Sequence, residues 1–274
     1  MDRCRPNYAV SLLEQVKHFF TVKNIVFILS IDKIQLGNAI CGVYGSEKID
    51  SAEYLKRFID VEYTIPNPSK GKYFNYLYHY LDFDSFLTNR ERTQHYEFQY
   101  DKDSFISTFE LLFADCTLRQ LEKIMFSTRL ILRTLSPNNY LFPTFFLFLV
   151  YIKFLHFDYY ENIIQKKYSI KDLQNKYYEL ITSKISKENE RVFVEIEACL
   201  LVFYTNYISQ YRGLENIYKY NRETSKTELT IDSCIDNILL LEYFENNDRG
   251  FLRSFELSLK YFIERIELSE NFKM

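Results

Sequence analysis

The stretch Asn24-Ile25-Val26-Phe27-Ile28-Leu29-Ser30-Ile31-Asp32 decides how this chain is read. It is a continuous apolar run, rich in β-branched residues, that stops abruptly at an aspartate. Such a run predicts a strand buried on both faces, as in a parallel sheet covered by helices. Polar groups at the carboxyl end of such a strand are where open α/β folds hold ligands, which directs attention to Ser30 and Asp32. Downstream, Val61-Glu62-Tyr63-Thr64-Ile65 is a second strand candidate, closed by Pro66-Asn67-Pro68. Residues 33–44 and 52–60 between them read as helices, so the order implies a right-handed crossover. Upstream, Pro6 and Asn7 open a helix, with Asn7 as the candidate N-cap, in which Val10, Leu13, Val16, Phe19 and Phe20 recur at helical spacing.

Pro66 to Lys72 (PNPSKGK) is the clearest linker, and the periodicity beyond it is helical. Thr117-Leu118-Arg119-Gln120 has the form of a capping box ahead of Leu121, Ile124, Thr128, Ile131 and Leu135. Helices are expected over residues 140–158 and 189–211, with Gly213 as a stop, then near 233–244 and 251–268. Residues 221–230 read as a polar loop. The expected class is mainly α: an N-terminal remnant of a parallel α/β sheet followed by a helical region. The expected divisions are 1–72, 73–180 and 181–274.

Composition bounds the function. With 34 Lys and Arg against 37 Asp and Glu, the net charge of -3 argues against a dedicated nucleic-acid binder. The 24 tyrosines and 25 phenylalanines stand against only 6 glycines and 5 prolines, which favours long helices over a hairpin-rich sandwich. A compositional bias of the genome is the plainer explanation of the aromatic excess. The five cysteines are widely spaced without a C-x-x-C pair, so a disulfide framework is not expected and a reducing cytoplasm fits. The N-terminus has no secretory h-region, and the uncharged stretch 136–152 is broken by two prolines and too short to span a bilayer. His18, His79, His95 and His156 are scattered singly, so no metal site is expected. The segment 76–84 contains a possible His–Asp pair at His79, for which a partly exposed helix is the simpler explanation.

The first 68 residues resemble the KAP family of P-loop NTPases, relatives of the STAND and AAA+ proteins. The resemblance rests on Asp2-Arg3-Cys4-Arg5-Pro6, the helix Ala9 to Lys17, the run Asn24 to Asp32, Gln35-Leu36, and Tyr54-Leu55-Lys56-Arg57-Phe58-Ile59-Asp60 leading into Ile65-Pro66 and Pro68. In the family, the Asp-Arg-Cys-Arg-Pro segment ends the Walker B strand. The resemblance therefore implies that the Walker A loop, with its phosphate cradle and lysine, would lie upstream of Met1. No G-x-x-x-x-G-K-[ST] occurs in these 274 residues. The expectation is a split, truncated or late-started NTPase whose two strands lack their common neighbour, leaving unpaired edges or a repacked N-terminus.

The site residues follow from the resemblance. Asp2 matches the second acidic position of Walker B, a water-polarising role; the plainer reading is a helix-leading aspartate. Ser30 and Asp32 stand where a sensor-1 residue meets the γ-phosphate side; the alternative is a strand-end cap. Arg57 lies where relatives place an arginine finger, which stabilises charge on the transferred phosphoryl; the alternative is a solvated face. Arg119 resembles a sensor-2 arginine. ATP and Mg²⁺ are implied for the complete protein and none for this chain alone. The implied partners are an upstream NTPase half or further copies of the chain, and a protein on the helical region. Membrane association would come only through upstream segments. The implied activity is ATP-driven switching, which in bacterial members extends to phage exclusion. The competing reading is a non-enzymatic helical interaction module carrying a vestigial NTPase remnant.

Overall fold

The computed structural model describes residues 4–20, 22–45, 49–208, 217–221, 226–247 and 258–268. It divides into two compact units, residues 1–67 and 68–274.

The first unit is built on α1 (Pro6–Lys17), α2 (Lys33–Tyr44) and α3 (Ser51–Leu55). Pro6 occupies the first helical turn of α1, where its missing N–H costs nothing, and Arg5 rather than Asn7 is the capping residue. Asp32 and Asp50 cap α2 and α3, each carboxylate accepting from two backbone N–H groups of the first turn. Helix α2 stops at Gly45, whose φ of 64° is the left-handed conformation that glycine adopts without strain. Gly37 sits where a Cβ would come within 2.8 Å of the Ser51 Oγ, so its small size lets α2 approach the start of α3. The core is small: Ala9, Val10, Leu13, Leu36, Ile40, Leu55 and Phe58.

The two predicted parallel strands are not formed. Residues 25–31 and 61–65 carry no regular secondary structure. Among the described residues no backbone hydrogen bond joins either segment to a neighbour. The physical reason is the lack of a partner, because a strand exists only through the ladder it shares. Strand-like alternation nevertheless survives from Ile28 to Asp32. Leu29 and Ile31 pack against the small core, whereas Val26 and Ile28 on the other face are 87% and 92% exposed. The sequence reading of two-sided burial is thus met on one side only. Val61, Tyr63 and Ile65 are likewise exposed. An ion pair between Lys33 and Glu62, 2.6 Å, holds the end of the first segment beside the start of the second.

The second unit is helical. It comprises α4 (Lys70–Tyr80), α5 (Asp84–Leu87), α6 (Arg90–Thr93), a 3₁₀ turn (Tyr96–Phe98), α7 (Asp101–Phe113), α8 (Leu118–Arg133), α9 (Pro143–Leu155), α10 (Phe157–Ile164), α11 (Ile170–Ile181) and α12 (Glu190–Ile208). The hairpin β1 (Tyr218–Asn221) and β2 (Lys226–Leu229) follows, then α13 (Asn237–Asn247) and α14 (Leu259–Leu268). This confirms a mainly α fold. The only strands among the described residues are this antiparallel pair, which replaces the expected polar loop at 221–230. The capping box forms as read: Gln120 N–H donates to Thr117 Oγ1, and the Gln120 side chain accepts from the Thr117 N–H. Helix α9 is buried from Pro143 to Lys153, as an all-round apolar helix must be. It ends at His156, and α10 begins at the corner, so the expected 140–158 helix is two. Helix α12 is described as far as Ile208, and Gly213 lies outside the described residues. Among the described residues no helix is long and apolar enough to cross a membrane.

Aromatic residues form much of this core, with Phe145, Phe203 and Phe262 mutually in ring contact across α9, α12 and α14. Arg92 is completely buried between the rings of Phe86 and Phe98, 4.7 and 4.2 Å from their centroids. It donates to the carbonyls of Pro137 and Asn139 and pairs with Asp101. A buried guanidinium with partners on three sides fastens the α6–α7 corner to the loop before α9.

Candidate nucleotide site

The residues that point to nucleotide chemistry are divided between the two units. Asp2 lies outside the described residues. Ser30 is exposed, two residues before the α2 cap. Asp32 is exposed and its Oδ1 accepts from Ile34 N–H at 3.0 Å and Gln35 N–H at 3.1 Å. That carboxylate is a helix cap in this structure, which leaves its second oxygen free of those bonds. A carboxylate on the N-terminus of α2 also sits at the positive end of the helix dipole.

Arg57 lies in the turn after α3. It is exposed, with its guanidinium 5.8 Å from the Tyr54 ring centroid. Tyr54 is itself fixed: its hydroxyl donates to Glu14 at 3.1 Å and meets the Tyr44 hydroxyl at 3.1 Å. Burial, followed by these two neighbours, raises the Tyr54 pKa far above the ordinary phenol value. The clasp of Glu14, Tyr44 and Tyr54 therefore provides a fixed ring for Arg57 to lie on, joining α1, α2 and α3. Sequence reading passed over this clasp because three residues 10 to 40 positions apart have no periodicity to find. Neighbouring Lys56 pairs with Glu53 at 2.8 Å and points its charge elsewhere.

Arg119, in the second unit, is exposed in the first turn of α8. A cation there opposes the helix dipole, so helix stability does not account for it. Among the described residues it has no ion-pair partner. The possible His–Asp pair in the 76–84 segment is not made through His79, which lies on the exposed side of α4. The Tyr78 hydroxyl donates to Asp84 at 2.7 Å, and Lys102 pairs with the same carboxylate at 2.8 Å.

Ser30, Asp32 and Arg57 share the first unit, but no hydrogen bond or ion pair joins any two of them. Among the described residues no group of three His, Cys, Asp or Glu side chains converges as a metal site would require. Val26 and Ile28, in the same segment as Ser30, are exposed apolar surface.

Comparison with known proteins places the N-terminal part of the chain. The model of the KAP family P-loop domain matches residues 1–135. The match runs through the linker and the whole of α8, well beyond the motifs that end at Pro68. No curated protein and no solved structure matches the chain. The match is to the KAP family of P-loop domains and covers residues 1–135, just under half of the 274-residue chain.

Proposed function

We propose that this chain is the nucleotide-sensing part of an ATP-driven conformational switch, inactive by itself and completed by a second polypeptide segment. The observation that carries this reading is the open apolar face of residues 25–31 and 61–65. It lies inside the region that matches a P-loop domain, with neither segment paired to a neighbour. A partner strand inserted there would pair the free backbone groups and cover the exposed side chains. That segment would carry the phosphate loop these 274 residues do not contain. ATP with Mg²⁺ would supply the transferable phosphoryl group and its charge. In the completed site Arg57 takes the finger role, Ser30 and Asp32 the sensing role, Asp2 the water-polarising role and Arg119 the second sensor. Protection against phage is the cellular setting proposed for the switch.

The test has two arms. Titration of the isolated chain with Mg-ATP should release no binding heat; a stoichiometric micromolar site would refute its dependence on a second segment. Co-expression with a KAP-family segment carrying Walker A should give a co-purifying ATPase. In that complex Arg57→Ala should depress turnover far more than nucleotide binding, since a finger acts on transition-state charge. Turnover indifferent to Arg57 and Asp32 would transfer support to the second reading, a helical interaction module. One feature favours that alternative: residues 68–274 have a large core of their own.

A further inference from the structure

Helix α4 presents an aromatic ladder to solvent. Tyr73 and Tyr76 have ring centroids 6.1 Å apart with planes 20° from parallel, and Tyr76 and Tyr80 are 5.6 Å apart at 14°. Tyr76 is 57% exposed and Tyr80 70%, so the core does not need these rings. Their positions, three and four residues apart, set them on one stripe of the helix. The opposite stripe, with Phe74, Leu77 and Tyr78, is what the core holds.

Helix α8 runs alongside in the same direction. The Tyr73 hydroxyl faces Glu122 near the start of α8, and Arg129 Nε donates to the Leu81 carbonyl at 2.7 Å near its end. The exposed residues of α8 include Arg119, Glu122, Lys123, Phe126 and Arg133. With Lys72 at the start of α4, four exposed cations besides Lys70 stand on these helices against the single carboxylate of Glu122, and helix α4 contains no acidic residue. Asp82 follows just beyond its end. Lys70 is directed elsewhere, donating to the Ala114 carbonyl.

We propose that this face of α4 and α8 binds single-stranded nucleic acid. Bases stack on the faces of Tyr76 and Tyr80, while phosphates meet Lys72, Lys123, Arg119 and Arg133. Exposed parallel rings interleaved with cations are the two components of a sequence-tolerant single-strand platform. Charge complementarity favours this occupant over a protein, because the centres of protein interfaces are depleted in lysine. The chain's overall charge of -3 points away from nucleic acid, but these two helices reverse that sign locally. The inference does not depend on the proposed ATP chemistry.

The experiment is fluorescence anisotropy of labelled 20-nucleotide oligo(dT) and oligo(U) with the full chain, without ATP, across a salt series. The expected result is binding that weakens with salt, with a log–log slope of about -0.7 for each phosphate neutralised. Tyr76→Ala/Tyr80→Ala should weaken it by roughly tenfold or more, since each stacked base contributes measurably. Tyr76→Phe/Tyr80→Phe should preserve it, because the ring face and not the hydroxyl is used. Lys72→Ala/Lys123→Ala should flatten the salt slope. Circular dichroism of each variant separates loss of binding from loss of fold. No binding at low salt overturns the proposal. So does binding unchanged in the folded double alanine variant, or equal binding of polyglutamate, which would show charge attraction without stacking. A difference between the two oligonucleotides distinguishes DNA from RNA as the ligand.

Discussion

Replacing Arg92 with methionine tests the account of the second unit most severely. The side chain is completely buried, lies between two aromatic rings, and is the ion-pair partner of Asp101. Methionine fills similar space but leaves a buried carboxylate unpaired, which costs about 3–5 kcal/mol. The lost ring contacts and the unsatisfied carbonyls of Pro137 and Asn139 act in the same direction. At 2–4 °C per kcal/mol for a unit of this size, a loss of about 4 kcal/mol lowers Tm by on the order of 8–16 °C. The loss depends on pH. Burial already raises the Asp101 pKa above the ordinary carboxylate value despite the opposing pull of Arg92. A raised folded-state pKa means the folded form holds the proton more tightly. Stability therefore falls as pH rises from the unfolded value, about 4, through the folded one. Removing the guanidinium raises the folded value further, so the deficit of the variant is smallest near pH 4 and grows toward neutrality. Calorimetry at several pH values measures this. Arg92→Met/Asp101→Leu should recover at least half of the loss at neutral pH. A Tm drop under 2 °C, or a double variant no better than the single one, would refute the reasoning.

Asp32→Ala should destabilise the first unit by about 1 kcal/mol in chemical denaturation, whereas Asp32→Asn, which still caps, should cost much less. Ellman's reagent at neutral pH should modify exposed Cys4 rapidly in the native chain. Cys116, Cys199 and Cys234, whose thiol pKa values burial raises, should react only on unfolding. Val26→Lys/Ile28→Lys should leave the melting curve of the isolated chain nearly unchanged, since both side chains are already in water, and should abolish co-purification with a completing segment.

Local signals in the sequence were legible where chemistry and structure lie within one turn of chain. The Thr117 capping box and the Pro6 start of α1 each depend on residues no more than three positions apart. The mainly α class followed from helical periodicity and the scarcity of glycine. The hairpin at residues 218–229 was missed because its sequence is polar and its alternation weak, so only pairing reveals it. The corner at His156 was missed because apolar residues continue across it. The tyrosine ladder was visible as a Tyr-rich segment, but sequence alone could not tell that Tyr76 and Tyr80 face water while Tyr78 faces the core. For the candidate nucleotide site, the sequence supplied residue types and order. It could not supply the Glu14–Tyr44–Tyr54 clasp that supports Arg57, because that contact spans three helices.

The failed strand prediction and the exposed surface have one cause. Residues 25–31 have the composition of a strand covered on both sides, and composition records the environment in which a segment is meant to rest. In the structure the Leu29 and Ile31 side finds that environment against α1 and α2, while the Val26 and Ile28 side does not. Four consecutive large apolar residues, 25–28, more than a third exposed are not stable surface chemistry for a monomer, particularly beside a second such segment at Val61, Tyr63 and Ile65. Helices α2 and α3 still form, because their caps and their shared core are local. Helices α2 and α3 therefore stand between two segments that remain unpaired. Under the proposed completion, burial of the open side chains at roughly 25 cal/mol per Å² of apolar area would stabilise the added segment. The same surface that denies residues 25–31 a strand assignment is thus the strongest physical reason to look for a partner.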